Sequence, residues 1–131
     1  MSFVNDKEIR SEADATILLS GGIDSMLCAH LMCEKKYRVQ GLFIDFGQPA
    51  SESEKFAAES LTKKLSLLPL LRCTAKPVIN ISSGEIAGRN AFLIFSAMTL
   101  VGISHGLLVI GVHSGTAYYD CTLGFIRSVG N

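Results

Sequence analysis

The stretch Ala15–Ser25, ATILLSGGIDS, places the tightest limit on how this chain can fold. Ala15 to Leu19 are apolar or β-branched and read as a short buried strand. The chain then turns through Ser20, Gly21 and Gly22 into Ile23-Asp24-Ser25-Met26-Leu27, which reads as the start of a helix. A strand, a glycine turn and a helix together make an anion site. The first N–H groups of a helix lack intrahelical partners, and the helix dipole favours negative charge there. Gly21 and Gly22 remove the Cβ atoms that would hold a phosphate away, and Ser20 and Ser25 add hydroxyl donors. Asp24 suits a phosphate that arrives with Mg²⁺.

Strand-like and helix-like stretches alternate along the rest of the chain. Residues 1–14 read as a flexible lead-in, and 15–131 as a single domain. The first helix is expected near Asp24–Lys36, with Ile23, Met26, Leu27 and Leu31 as its apolar stripe and Glu34, Lys35 and Lys36 at its wet end. Val39–Asp45 reads as a second strand. Ser51-x-x-Glu54 has the form of a capping box opening a helix to about Leu65, with Phe56, Leu61 and Leu65 inward. Leu67–Cys73 reads as a third strand, placed at an edge by Pro69. After a polar loop, Thr74–Gly88, a third helix is expected from Arg89 to His105, ended by Gly106, and a fourth strand over Leu107–Val112. This alternation calls for an α/β fold: a doubly wound parallel sheet of four strands with helices on both faces.

Twelve basic and twelve acidic residues cancel, which gives no support to electrostatic binding of nucleic acid or an anionic membrane. The four cysteines, Cys28, Cys33, Cys73 and Cys121, form no CxxC pair, so neither a zinc site nor a disulfide framework is expected. That usage, with a polar N-terminus, points to the cytoplasm. Asn90 to Tyr119 carries no Asp, Glu, Lys or Arg, and Ala91–Val112 is long enough to span a bilayer. A buried helix followed by a buried parallel strand explains the same run, and polar residues with the Gly106 break favour it.

Ser20-Gly21-Gly22-Ile23-Asp24-Ser25 resembles the SGGxDS pyrophosphate loop of the N-type ATP pyrophosphatases, which split ATP between the α and β phosphates. Three further stretches resemble one family among them, the 7-cyano-7-deazaguanine synthases. Phe43-Ile44-Asp45-Phe46-Gly47-Gln48 is similar to their FDYGQ segment, and Gly88-Arg89-Asn90 to their PGRN segment. Gly111-Val112-His113-Ser114-Gly115 through Tyr118-Tyr119-Asp120-Cys121 is similar to their GVH…YPDC segment. The resemblance implies strand order 3-2-1-4, an adenine nucleotide alpha hydrolase-like sheet. Ser20–Ser25 and Gly111–His113 would then flank one crevice at the carboxyl ends of strands 1 and 4.

It also implies a chemistry. A carboxylate, 7-carboxy-7-deazaguanine, is adenylated by ATP with release of pyrophosphate, ammonia displaces AMP, and a second activation dehydrates the amide to the nitrile. ATP and Mg²⁺ are the implied cofactors. Ser20, Gly21, Gly22, Asp24 and Ser25 would hold pyrophosphate and Mg²⁺, and backbone near Leu18, Leu19, Phe43 and Ile44 would hold adenine. Arg89 would contact phosphate or carboxylate, and Asn90 would contact substrate or cap a helix. His113, Tyr118, Tyr119 and Asp120 would line the base pocket, with Asp120 accepting from a guanine-like edge. Asp24 and Arg89 are thus the candidate catalytic residues.

The match has departures. Tyr119 stands where the family has proline, and Leu123-Gly124 where it has Pro-Glu. The family continues past the equivalent of Asn131 into helical structure and a zinc-binding cysteine cluster, so a fragment, a shortened paralogue or one half of a split or oligomeric enzyme is expected. A second chain, as in a homo-oligomer, is expected over an open sheet edge. Two alternatives to the nitrile synthase remain: a paralogue adenylating another acceptor, and an ATP- or AMP-binding module without turnover.

Overall fold

The computed structural model describes residues 13–76, 88–100, 106–112 and 117–130. Among these residues four parallel strands form one sheet in the order β3-β2-β1-β4. They are β1 (Ala15–Leu18), β2 (Val39–Asp45), β3 (Leu68–Thr74) and β4 (Leu107–Val109). The helices are α1 (Ile23–Glu34), α2 (Ser51–Lys64), α3 (Arg89–Leu100) and α4 (Leu123–Val129), with a 3₁₀ turn at Tyr119–Cys121. The α/β doubly wound architecture and its order are those expected from the alternation and the resemblance. The edge position of the Pro69 strand also holds.

Side-chain alternation along the two central strands builds two cores. Ala15, Ile17 and Leu19 with Val39 and Phe43 pack on Ala29 and Met32 of α1 and on Ala58 and Leu61 of α2. Leu18, Leu42 and Ile44 face the other way, onto Leu93 and Ala97 of α3. Ile17 and Leu42 are fully buried. On the α1 side β2 has no side chain at Gly41. A Cβ there would stand 2.6 Å from Leu19 Cδ1 and 3.0 Å from Leu70 Cδ1, so Leu19 occupies the space. Pairing of β2 with β3 slips between Gln40 and Leu42, at Pro69 and Leu70. The Gln40 side-chain amide donates to the Pro69 carbonyl there, which suits proline at an irregularity of an edge strand.

Several local expectations are corrected. Ile23, Met26, Leu27 and Leu31 do not face the core; Ile23 is 70% and Leu27 60% exposed. Helix α1 is apolar nearly all round, so its periodicity did not mark the inner face. Ser25, Ala29 and Met32 lie inward instead, and the small side chains bring the helix close to the sheet. Phe56 is likewise outside, at 71%. The capping box does not form. Ala50 occupies the N-cap of α2 without a side-chain bond, and Glu54 is engaged by Gln48. Strands β1 and β4 end earlier than expected, although Leu19 N–H still donates to Leu42 O at 2.9 Å. The charge-free run divides into α3 and β4, and among the described residues no helix is long and apolar enough to cross a membrane. Most of the expected loop Thr74–Gly88 and the end of the third helix lie outside the described residues.

Two carboxylates tie the sheet at its ends. Asp14 accepts from Arg38 N–H at 2.8 Å and pairs with Arg38 Nε at 3.4 Å, and these contacts hold its carboxyl below the ordinary range. For Asp45, partial burial opposes ionisation, but the Gly47 N–H, the Ser51 hydroxyl and the Lys76 ammonium outweigh it and lower the pKa. Both are depressed in the folded state. Their stabilisation is therefore full above the unfolded value of about 4 and is lost as pH falls through the lower folded values. Thermal unfolding should be insensitive to pH from about 7 to 5 and should drop below about 4, less steeply in Asp45→Asn. Gly41→Val should cost about 1–3 kcal/mol by overpacking against Leu19 and Leu70, read by chemical denaturation.

Candidate functional site

The carboxyl ends of β1 and β2, the chain beyond β4, and the starts of α1 and α3 surround a crevice of about 190 Å³. This is the topological switch point, where the chain leaves β1 toward β2 on one side and β4 lies on the other. Leu18, Leu19, Leu42, Phe43, Ile44 and Phe46 line the crevice at and just beyond the ends of β1 and β2. Ser20, Gly22 and Ser25 form the floor at α1; Arg89, Asn90 and Leu93 come from α3, and Ile110 and Gly111 follow β4.

The turn into α1 is built by close contacts. Gly21 has φ +74, and a Cβ on it would lie 2.9 Å from Ala57 Cβ and 3.2 Å from both Cα and O of Glu54. The loop is thus laid directly on α2. Gly22 is the N-cap of α1, so no side chain caps the first-turn N–H groups, and Gly22 and Ser25 of this turn line the crevice. Ser25 is buried and its Oγ donates to Gly22 O at 3.0 Å, bracing the turn. Gly111 packs onto the same turn: a Cβ there would stand 2.7 Å from Asp24 C and 2.9 Å from Ser25 N. The two lips therefore touch rather than merely face each other.

The start of α3 differs in charge. Asp120, buried, accepts from Asn90 N–H at 2.8 Å and Ala91 N–H at 3.2 Å through one oxygen, Oδ2. Asn90 Nδ2 donates to Cys121 Sγ at 3.1 Å. Of the two helix starts at the crevice, α3 has its first N–H groups bonded to a carboxylate, whereas α1, with Asp24 in its first turn, has no side-chain cap.

The structure brings Leu18, Leu19, Ser20, Gly22, Ser25, Phe43, Ile44, Arg89 and Asn90 to the crevice. Gly21 supports it from below, and Asp24 is exposed beside Gly111 without joining the described lining. Asp120 is outside the described lining, and its Oδ2 binds the start of α3, where a buried carboxylate finds two open N–H groups. Asn90 is the second residue of α3 rather than its cap. Tyr118 and Tyr119 are exposed and outside the described lining, with Tyr119 edge-on to Phe125 at 5.9 Å. His113 lies outside the described residues. Sequence reasoning gave no site role to Gln48 or Glu54, both of which line the crevice. Gln48 stood in the quoted segment beginning at Phe43, which was the signal for it. Burial pushes the Cys28 thiol up, helped by Asp24, and burial alone raises Cys73, so both are poor nucleophiles at neutral pH.

The sequence model described as "Queuosine biosynthesis protein QueC" matches residues 14–83, more than half of the chain and all of β1 through β3. The chain belongs to the QueC family. Within that family, it is 28% identical over 153 aligned residues to the 7-cyano-7-deazaguanine synthases of two strains of Leptospira interrogans, covering 95% of this chain and 62% of theirs. It is 43% identical over 53 residues to the synthase of Novosphingobium aromaticivorans, a match covering 40% of this chain and 22% of that protein. The chain thus spans less than two thirds of these relatives' length. A Methanocaldococcus jannaschii structure, titled a predicted subunit of tRNA methyltransferase, shares the fold with a TM-score of 0.51 and 19% identity, over 89% of this chain and 62% of that one.

Removing the Asp120 carboxylate should uncap α3. Asp120→Ala is expected to cost about 1–2 kcal/mol, read by urea denaturation, with the loss concentrated in α3 amide protection.

Proposed function

We propose that this QueC-family chain carries the ATP-binding and adenylating part of a 7-cyano-7-deazaguanine synthase-like ligase. The observation that carries this reading is the uncapped start of α1 at the switch-point crevice, with Ser20 and Gly22 in the lining and Arg89 across from them. Adenine fits at the ends of β1 and β2, lined by Leu18, Leu42, Phe43 and Ile44, where strand-end backbone can read its edge. The pyrophosphate end fits the α1 turn, where N–H groups are open and the dipole is favourable.

In the proposed reaction the carboxylate oxygen of 7-carboxy-7-deazaguanine attacks the α-phosphorus and pyrophosphate leaves. Ammonia then attacks the acyl carbon and AMP leaves, giving the amide. A second adenylation, on the amide oxygen, lets AMP depart with loss of the nitrogen protons and formation of the nitrile. The protein's share is to hold two anions together and to stabilise charge developing on the leaving pyrophosphate. The α1 amides and Arg89 are suited to that by position.

Mg²⁺ is bound in such sites by one or two carboxylates together with substrate phosphates, and Asp24, exposed at the first turn of α1, meets that requirement. When bound, the ion offsets phosphate charge in the transition state. Among the described residues no group of three or more His, Cys, Asp or Glu gathers, so these residues do not fit a zinc site.

Incubation with ATP, Mg²⁺ and ammonia, with and without 7-carboxy-7-deazaguanine, tests the reading. AMP and pyrophosphate should appear only with the acid, and Asp24→Ala should lower AMP formation by about a hundredfold or more. ATP bound without AMP formed would instead assign the chain as a nucleotide-binding core, and AMP formed only with another carboxylate would assign a different acceptor.

A further inference from the structure

Gln48 is buried, lies in the crevice lining, and has every polar atom of its amide engaged. Its Oε1 accepts from Phe46 N–H at 2.9 Å, and its Nε2 donates to Ile44 O at 3.2 Å. These two bonds lock the amide to the end of β2. The second Nε2 hydrogen goes to Glu54 Oε2 at 2.8 Å, six residues on in α2. Glu54 is in turn the residue on whose Cα and carbonyl oxygen Gly21 rests.

The chain of contacts therefore runs from the end of β2 through Gln48 and Glu54 to the turn before α1. We propose that Gln48 is a positioning residue for the phosphate-facing turn, acting through Glu54. It serves this turn in two ways. It fixes the helix segment under Gly21, and it keeps a crevice-lining carboxylate hydrogen-bonded to an amide instead of free to approach bound phosphate. This inference rests on the anion-binding reading of the α1 turn, but its first readout needs no ligand.

Hydrogen exchange at the amides of residues 26–29, the first hydrogen-bonded ones of α1, tests it. Gln48→Ala and Glu54→Ala should each speed exchange there about tenfold, and the double variant should do no more than either, because both break one link. Glu54→Gln keeps an acceptor for Nε2 and should stay within about threefold of the parent chain. Unchanged exchange in both alanine variants, additive effects, or equal acceleration throughout the sheet would overturn the proposal. Should Gln48→Ala fail to fold, Glu54→Ala against Glu54→Gln decides alone, since Glu54 is only half-buried in the first turn of α2.

A second arm uses inorganic pyrophosphate with Mg²⁺, and adenosine, in calorimetry. Glu54→Ala should weaken pyrophosphate about tenfold and leave adenosine within about twofold. Equal weakening of both ligands would overturn a role specific to the phosphate turn. Failure of the parent chain to bind pyrophosphate would refute the anion-site reading itself, with the exchange result still deciding whether Gln48 holds the turn.

Discussion

Ile17 and Leu18 are neighbours on a strand only four residues long, and they are buried on opposite faces of the sheet. That double burial is the constraint on which the molecule depends. It requires a helical layer on each side, supplied by α1 and α2 on the Ile17 face and by α3 on the Leu18 face. It also puts β1 at the centre, bonded to β2 and β4, so the ends of three strands converge where the chain must turn away. The crevice is a consequence of that convergence.

Charge decides how the crevice is used. Two helices begin there, and their open N–H groups are equivalent in principle. At α3 the protein spends its own carboxylate, Asp120, on those groups; at α1 no side chain caps them, and the Asp24 carboxylate of the first turn is exposed. Asp120 thereby joins the last described part of the chain to the middle and stiffens the ground from which Arg89 and Asn90 project. The asymmetry leaves one favourable place for an incoming anion.

The alternation of strands and helices, the edge proline and the glycine turn before Ile23 were legible in the sequence because each rests on local chemistry. The inner face of α1 was not. Apolar residues occupy most of its circumference, and the decision fell to the small residues Ser25 and Ala29, whose value lies in close approach to the sheet. The Ser51 and Glu54 pair illustrates a second limit. Its spacing suited a capping box, but Gln48 offered Glu54 a buried donor, and tertiary contact overrode the local motif. Asp120 illustrates a third: its partners, Asn90 and Ala91, lie thirty and twenty-nine residues away, beyond any pattern along the chain.

The all-parallel sheet has a consequence for how the chain reaches this structure. No strand can pair with its neighbour through a tight hairpin; each pairing waits for a crossover. β1 cannot complete its second ladder until Leu107–Val109 has been synthesised, most of the chain later. Until then Ile17 and Leu18 belong to a strand with one open side, and collapse onto α1 and α2 can shelter only one of its faces. A nascent chain of this topology leaves its most completely buried strand unsheltered longest, so its folding yield depends on how quickly the β4 segment arrives.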